Sequence, residues 1–179
     1  MNHKLTTSVL TAAAVALSLS ACTFDDPEIT DAPPSAETQA EPAEAEAEEK
    51  VPDGVGKFGQ VLSWENVDIT VTEPAPFEPS EYVDEGYEFD HYIVVEVRLT
   101  NTGEELFDPT WVHLTASSGE QEAMFVADVE KGINGAPMTS VQPGKSAKWK
   151  EAFNVADPDD IAVEITPDAF TSSPVLLTK

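Results

Sequence analysis

The stretch His91-Tyr92-Ile93-Val94-Val95-Glu96-Val97-Arg98-Leu99-Thr100-Asn101 decides the fold. Ile93, Val95, Val97 and Leu99 fall on one face of an extended chain, while Val94, Glu96, Arg98 and Thr100 fall on the other. A period of two with one apolar and one mostly polar face predicts a strand buried on one side. The same pattern occurs in 65–72, where Val67, Ile69 and Val71 alternate with Asp68, Thr70 and Thr72. Weaker strands are expected over 111–116, 122–127, 146–155, 161–166 and 175–178. Turn formers separate them: Asn101-Thr102-Gly103, Ser118-Gly119, Asn134-Gly135, Pro143-Gly144 and Asp157-Pro158-Asp159. No run of a dozen residues keeps a helical period between caps. Seven or eight short strands in one core-sized unit predict an all-β sandwich over 56–179. Ala147, Trp149 and Phe153 continue an apolar alternation that Glu151 breaks, which predicts a bulge or an edge strand there.

The chain upstream is of another kind. Residues 1–21 form an export signal: a short n-region with Lys4, an apolar segment over 9–19, and small residues before Cys22. The apolar segment is about half the ~20 residues that span a bilayer. Residues 22–55 then carry ten carboxylates before Lys50, the first basic residue, with Ala and Pro filling most of the remainder. Low hydrophobicity with one sign of charge predicts a disordered, extended linker. The whole chain holds 34 acidic against 9 basic residues, a formal charge of −25. That balance excludes a phosphate-neutralising nucleic-acid surface and opposes adhesion to anionic lipids. Cys22 is the only cysteine, so the sandwich must fold without an internal disulfide.

Two resemblances follow from these residues. Leu19-Ser20-Ala21-Cys22 resembles the lipobox of bacterial lipoproteins, which implies cleavage before Cys22 and a diacylglycerol thioether on its sulfur. Two chains or more hold a protein stably on a bilayer where one does not. The resemblance therefore implies an extracytoplasmic, membrane-attached protein. Further along, a set of short motifs occurs in order: Phe58-Gly59-Gln60, Trp64-Glu65, Val67-Asp68-Ile69-Thr70-Val71, Pro74-Ala75-Pro76-Phe77, Val94 to Asn101, Pro143-Gly144-Lys145 and Trp149-Lys150 before Ala152-Phe153. Their order resembles the telokin-like immunoglobulin-fold domain of actinobacterial secreted proteins and lipoproteins, related to the mycobacterial immunoprotective extracellular antigens. That resemblance implies an immunoglobulin-like β-sandwich without the inter-sheet disulfide, and implies no activity.

Candidate sites compete with plainer readings. Asp84, Glu85, Glu88 and Asp90 lie in a loop free of Lys and Arg, and an oxygen-rich loop can hold Ca²⁺, although no EF-hand spacing is present. Tyr82 and Tyr87 interleave the same loop and form either a recognition surface or a cover for the core. Lys145, Lys148 and Lys150 are three of the seven basic residues after Gly54. Lys148 and Lys150 share a strand face that suits an acidic wall polymer or blunts an edge. Trp64, Trp111 and Trp149 are expected to anchor the core. His91 and His113 lack metal-ligand spacing, and Ser117 and Ser118 have no partnered base, so no catalytic residue or cofactor is expected beyond the lipid on Cys22. The expected function is a non-enzymatic binding module with a protein or wall-polymer partner. A Ca²⁺-stabilised structural module and a wall-polymer hydrolase are the alternatives.

Overall fold

The stretch from His91 to Asn101 forms one strand, β6 (His91–Asn101), in the middle of a seven-stranded sheet. The computed structural model describes residues 28–31, 54–83, 86–168 and 172–179. The export segment, Cys22, most of the linker, and Asp84 and Glu85 lie outside the described residues. On one side of β6 lies β10 (Ser146–Val155), antiparallel and in unbroken register from Ser146 opposite Thr100 to Val155 opposite His91. On the other side lie β4 (Val67–Val71) and, further along the same edge, β5 (Ala75–Pro76). The sheet continues from β4 to β3 (Gln60–Trp64) and β1 (Glu28–Asp31), and ends beyond β10 with β9 (Met124–Val126).

The second sheet runs β2 (Val55–Lys57), β12 (Val175–Thr178), β11 (Ile161–Thr166), β7 (His113–Ser118) and β8 (Gln121–Glu122). Among the described residues only the β2–β12 pairing is parallel. At Ala123 the chain leaves the second sheet for the first. Its N–H still bonds Ala116 O, and β9 then pairs with β10.

The faces of the two sheets that meet are apolar. Ile93, Val95, Val97 and Leu99 of β6 are buried against Val163 and Ile165 of β11 and Leu177 of β12 as parts of one continuous core. Each fully buried aliphatic side chain contributes about 1.5–3 kcal/mol of transfer free energy. This is how a domain without a disulfide offsets chain entropy. The all-β sandwich expected from the alternation is therefore the fold. The described residues hold twelve strands, because the short pieces β1, β2, β3, β5 and β8 add to the long ones.

A second, smaller cluster sits on the outer face of the first sheet. Val126, Ile133 and Ala152 are buried there, with Phe77, Val83, Tyr87, Tyr92 and Val94 packed around them. The segment after β5 thus folds back over its own sheet. Asn154 fastens it: its amide donates to Phe89 O (2.7 Å) and His91 O (3.0 Å) and its oxygen accepts from Phe89 N (3.0 Å). Asp128 fastens it again by accepting from the Ser80 N–H (2.7 Å) and hydroxyl (2.9 Å).

One expectation is overturned. Residues 28–31 fall inside the linker expected to be disordered over 22–55, yet they form β1, antiparallel to β3 with Glu28 opposite Ser63 and Asp31 opposite Gln60. The physical reason is local. Ile29 is the large aliphatic of Glu28-Ile29-Thr30-Asp31, and it packs against the main core. Gly56 opens the space: a Cβ there would lie 3.5 Å from Ile29 Cδ1 and 3.2 Å from Leu177 Cδ2. The edge strands of the two sheets approach each other at that glycine.

Candidate binding cleft

One end of the sandwich carries a cleft of about 560 Å³. Its walls are the β3–β4 turn (Glu65, Asn66), the segment after β6 (Gly103 to Phe107), Trp111, and Pro167, Asp168 and Ser172 beyond β11. Each wall is fixed by an identifiable contact. Buried Asn101 donates to Glu105 O (2.7 Å) and Val141 O (2.8 Å) and accepts from Gly103 N (3.0 Å), which holds the 102–107 segment. Gly103 and Thr102 donate their N–H groups to Asn66 O, both at 3.0 Å. Gly103 has no room for a side chain, since a Cβ would sit 2.9 Å from Asn66 Oδ1. Buried Trp64 closes the floor, its indole N–H donating to Ser173 O (3.2 Å).

Trp111 is placed by the sequence Asp108-Pro109-Thr110-Trp111. Asp108 caps a single 3-10 turn (Pro109–Trp111), accepting from the Thr110 N–H (3.0 Å) and hydroxyl (2.7 Å). Proline at the first position supplies the turn's φ and lacks the N–H that would go unpaired. The Thr110 bonds hold the Asp108 carboxyl below its ordinary range. The turn leaves Trp111 59% exposed and neighbouring Leu106 66% exposed. The expectation that all three tryptophans anchor the core is thereby corrected. Trp64 and Trp149 are buried, while Trp111 stands at the lip of the cleft. Composition does not separate the three; the capped turn does.

The other expected site residues fall elsewhere. Tyr82 is 72% exposed on the segment before β6. Tyr87 is half-buried in the second cluster, edge-on to Tyr92 with ring centroids 6.0 Å apart, and its hydroxyl donates to Phe125 O (3.3 Å). That side chain covers apolar surface, the plainer of its two readings. Glu88 and Asp90 are exposed in the same segment. Among the described residues no group of three or more His, Cys, Asp or Glu side chains is placed to hold a metal ion. Lys148 and Lys150 share the outer face of β10 as expected, and Lys148 is paired with Glu96 (2.8 Å). Lys150, Lys131 and Glu78 line a shallow hollow of about 470 Å³ beside the second cluster. Lys145 lies in the turn before β10.

His91 and His113 are not brought together: His91 is at the end of β6 remote from Asn101, whereas His113 follows Trp111 at the cleft end. Ser118 is buried, its hydroxyl donating to Asp157 O (2.7 Å) and accepting from Asp157 N (2.6 Å), so it staples a loop. Neither form expected at Glu151 is found: β10 is an interior strand between β6 and β9, though its 146–151 part has no partner strand on the β9 side among the described residues. The β10–β6 register has no bulge, and β9 covers β10 only at Ala152, Phe153 and Asn154. Glu151 is largely buried and accepts from the Trp149 indole N–H (2.9 Å). Burial pushes its carboxyl above the ordinary value, against the pull of that bond and of His113. Among the described residues no helix is long and apolar enough to cross a membrane.

Comparison with known proteins locates the fold. A scan against protein-family models finds no match, and a search of curated proteins finds none. Among solved structures, the yjhA protein of Bacillus subtilis superposes with a TM-score of 0.56 over 68% of this chain and 97% of its own, at 13% identity. A β-sandwich protein of Clostridium difficile 630 matches with a TM-score of 0.45 over 76% of this chain and 98% of its own, at 14% identity. The secreted protein MPT63 of Mycobacterium tuberculosis matches with a TM-score of 0.45 over 70% of this chain and 96% of its own, at 11% identity. At these identities what is shared with yjhA is the fold: an all-β sandwich of two packed sheets.

Proposed function

We propose that the chain is a non-enzymatic binding module, held on the extracytoplasmic face of a membrane through a lipid on Cys22, that engages an envelope component at the Trp111 cleft. The observation that carries this reading is the cleft itself. A concave site of several hundred Å³ with pre-set walls and an exposed aromatic at its lip is the usual form of a binding site. Tryptophan is also the residue type that most often dominates a contact. The export segment and the Leu19-Ser20-Ala21-Cys22 sequence support the location.

The test places a photo-crosslinking residue at Leu106 of the full chain in cells, with Tyr82 as the control position at the other end of the sandwich. A discrete adduct should form from Leu106 and not from Tyr82. Trp111→Ala should reduce its yield by about tenfold or more, as expected for loss of an anchoring contact. Equal capture from both positions, or a yield indifferent to Trp111→Ala, overturns the assignment of the cleft.

A further inference from the structure

The position of β1 changes how an anchor at Cys22 would hold the domain. Five residues, 23–27, separate Cys22 from Glu28, where the chain enters the sheet. Fully extended, that link reaches about 20 Å at most. The remainder of the acidic stretch, residues 32–53, connects β1 at an edge of one sheet to β2 at an edge of the other, and so adds nothing to the distance from the anchor. Glu28 lies opposite Ser63, next to Trp64 and the Glu65-Asn66 turn. Those residues line the cleft. The point of attachment and the cleft therefore share one end of the sandwich.

We infer that this end faces the bilayer, with Trp111 and Leu106 resting in the headgroup layer. The inference rests on the proposed acylation of Cys22 and names the partner of the proposed cleft as the lipid surface itself. A link of this length keeps the anchored end within a few side-chain lengths of the headgroups. Trp111 and Leu106, both exposed at the cleft, are side chains that an interface accommodates, tryptophan above all. Glu104 and Glu105, exposed beside them, set the charge preference: ammonium-bearing headgroups attract them and anionic ones repel them.

The experiment uses acylated chain purified from membranes, reconstituted into phosphatidylcholine vesicles with brominated acyl chains as the quencher. Trp64 and Trp149 are buried, so quenching reports chiefly on Trp111. Tryptophan emission should fall on binding, and the fall should largely disappear in Trp111→Phe. It should also disappear when twenty Gly/Ser residues are inserted between Cys22 and Glu28, and should shrink when phosphatidylglycerol replaces half the lipid. The insertion lengthens the link without touching the domain, so vesicle flotation stays intact. Flotation without quenching, or quenching that survives the insertion or Trp111→Phe, overturns the inference while leaving the anchor standing. Failure of the purified chain to float overturns the anchor and the inference with it.

Discussion

Glu151 and Asp128 are both buried acids, and they respond to burial in opposite ways. Burial pushes the Asp128 carboxyl upward, but the N–H and hydroxyl of Ser80, the Lys131 N–H and the Lys131 charge outweigh it and hold it below its ordinary value. Its contribution is present above the ordinary carboxylate range and is lost as pH falls through the lowered value. Glu151 has one neutral donor, the Trp149 indole, and its carboxyl ends up raised. A raised acid binds its proton more tightly in the fold than in the unfolded chain. Stability from this group is therefore complete below the ordinary value of 4.5 and declines as pH rises through the folded value. Glu151→Gln keeps an oxygen for Trp149 and removes the ionisation. Its urea midpoint should exceed that of the parent at pH 8, with the gap narrowing toward pH 5; a lower midpoint at pH 8 would contradict the sign. The penalty has a counterpart in protection. Residues 146–150 of β10 have no partner strand among the described residues on the side away from β6. An inward carboxylate with Lys148 and Lys150 on the outer face discourages another chain from adding there.

At the scale of elements, the long strands were legible and the short edge strands were not. β4, β6 and β11 each bury alternate residues, so the period of two is written in their composition; β10 starts that way but is buried on both faces from Ala152 to Val155. β1 is four residues in an acidic neighbourhood, and averaging over that neighbourhood hides one isoleucine meeting a groove. The cleft was illegible for a related reason. Its walls come from segments far apart in the sequence, and only the Asp108 cap decides that Trp111 points outward. The edge role of β1 can be weighed directly. Ile29→Ser removes a partly buried aliphatic side chain and should cost about 1–2 kcal/mol. A chain beginning at Gly54, which lacks β1 altogether, should lose at least as much. Equilibrium denaturation of the three chains checks this. Equal midpoints would mean that β1 adds nothing to the stability of the fold.

For the whole molecule the governing quantity is charge. The chain carries a formal −25, and residues 54–179 alone hold 23 acidic against 7 basic residues, so self-repulsion is a standing cost of the folded state. What attraction the surface offers is small. The Lys148–Glu96 pair is exposed on both sides, and such pairs contribute about 0–1 kcal/mol. Added salt acts on both terms, but unequally. It shortens the screening length from about 10 Å at 0.1 M to about 3 Å at 1 M. That quiets repulsion summed over many distant carboxylates and removes little from one surface pair. The core is apolar and indifferent to sign, and its buried polar groups Asn101, Ser118, Asp128 and Asn154 are hydrogen-bonded at short range, where screening hardly reaches. Raising NaCl from 0.02 M to 0.5 M should therefore raise the melting temperature by several degrees, with KCl equivalent to NaCl, because screening depends on ionic strength and not on the ion. CaCl2 at matched ionic strength should follow the same curve if no site for the ion exists. A melting temperature that falls with salt would show that specific ion pairs outweigh repulsion, and a rise confined to Ca²⁺ would support an ion site in the acidic loop of Asp84, Glu85, Glu88 and Asp90.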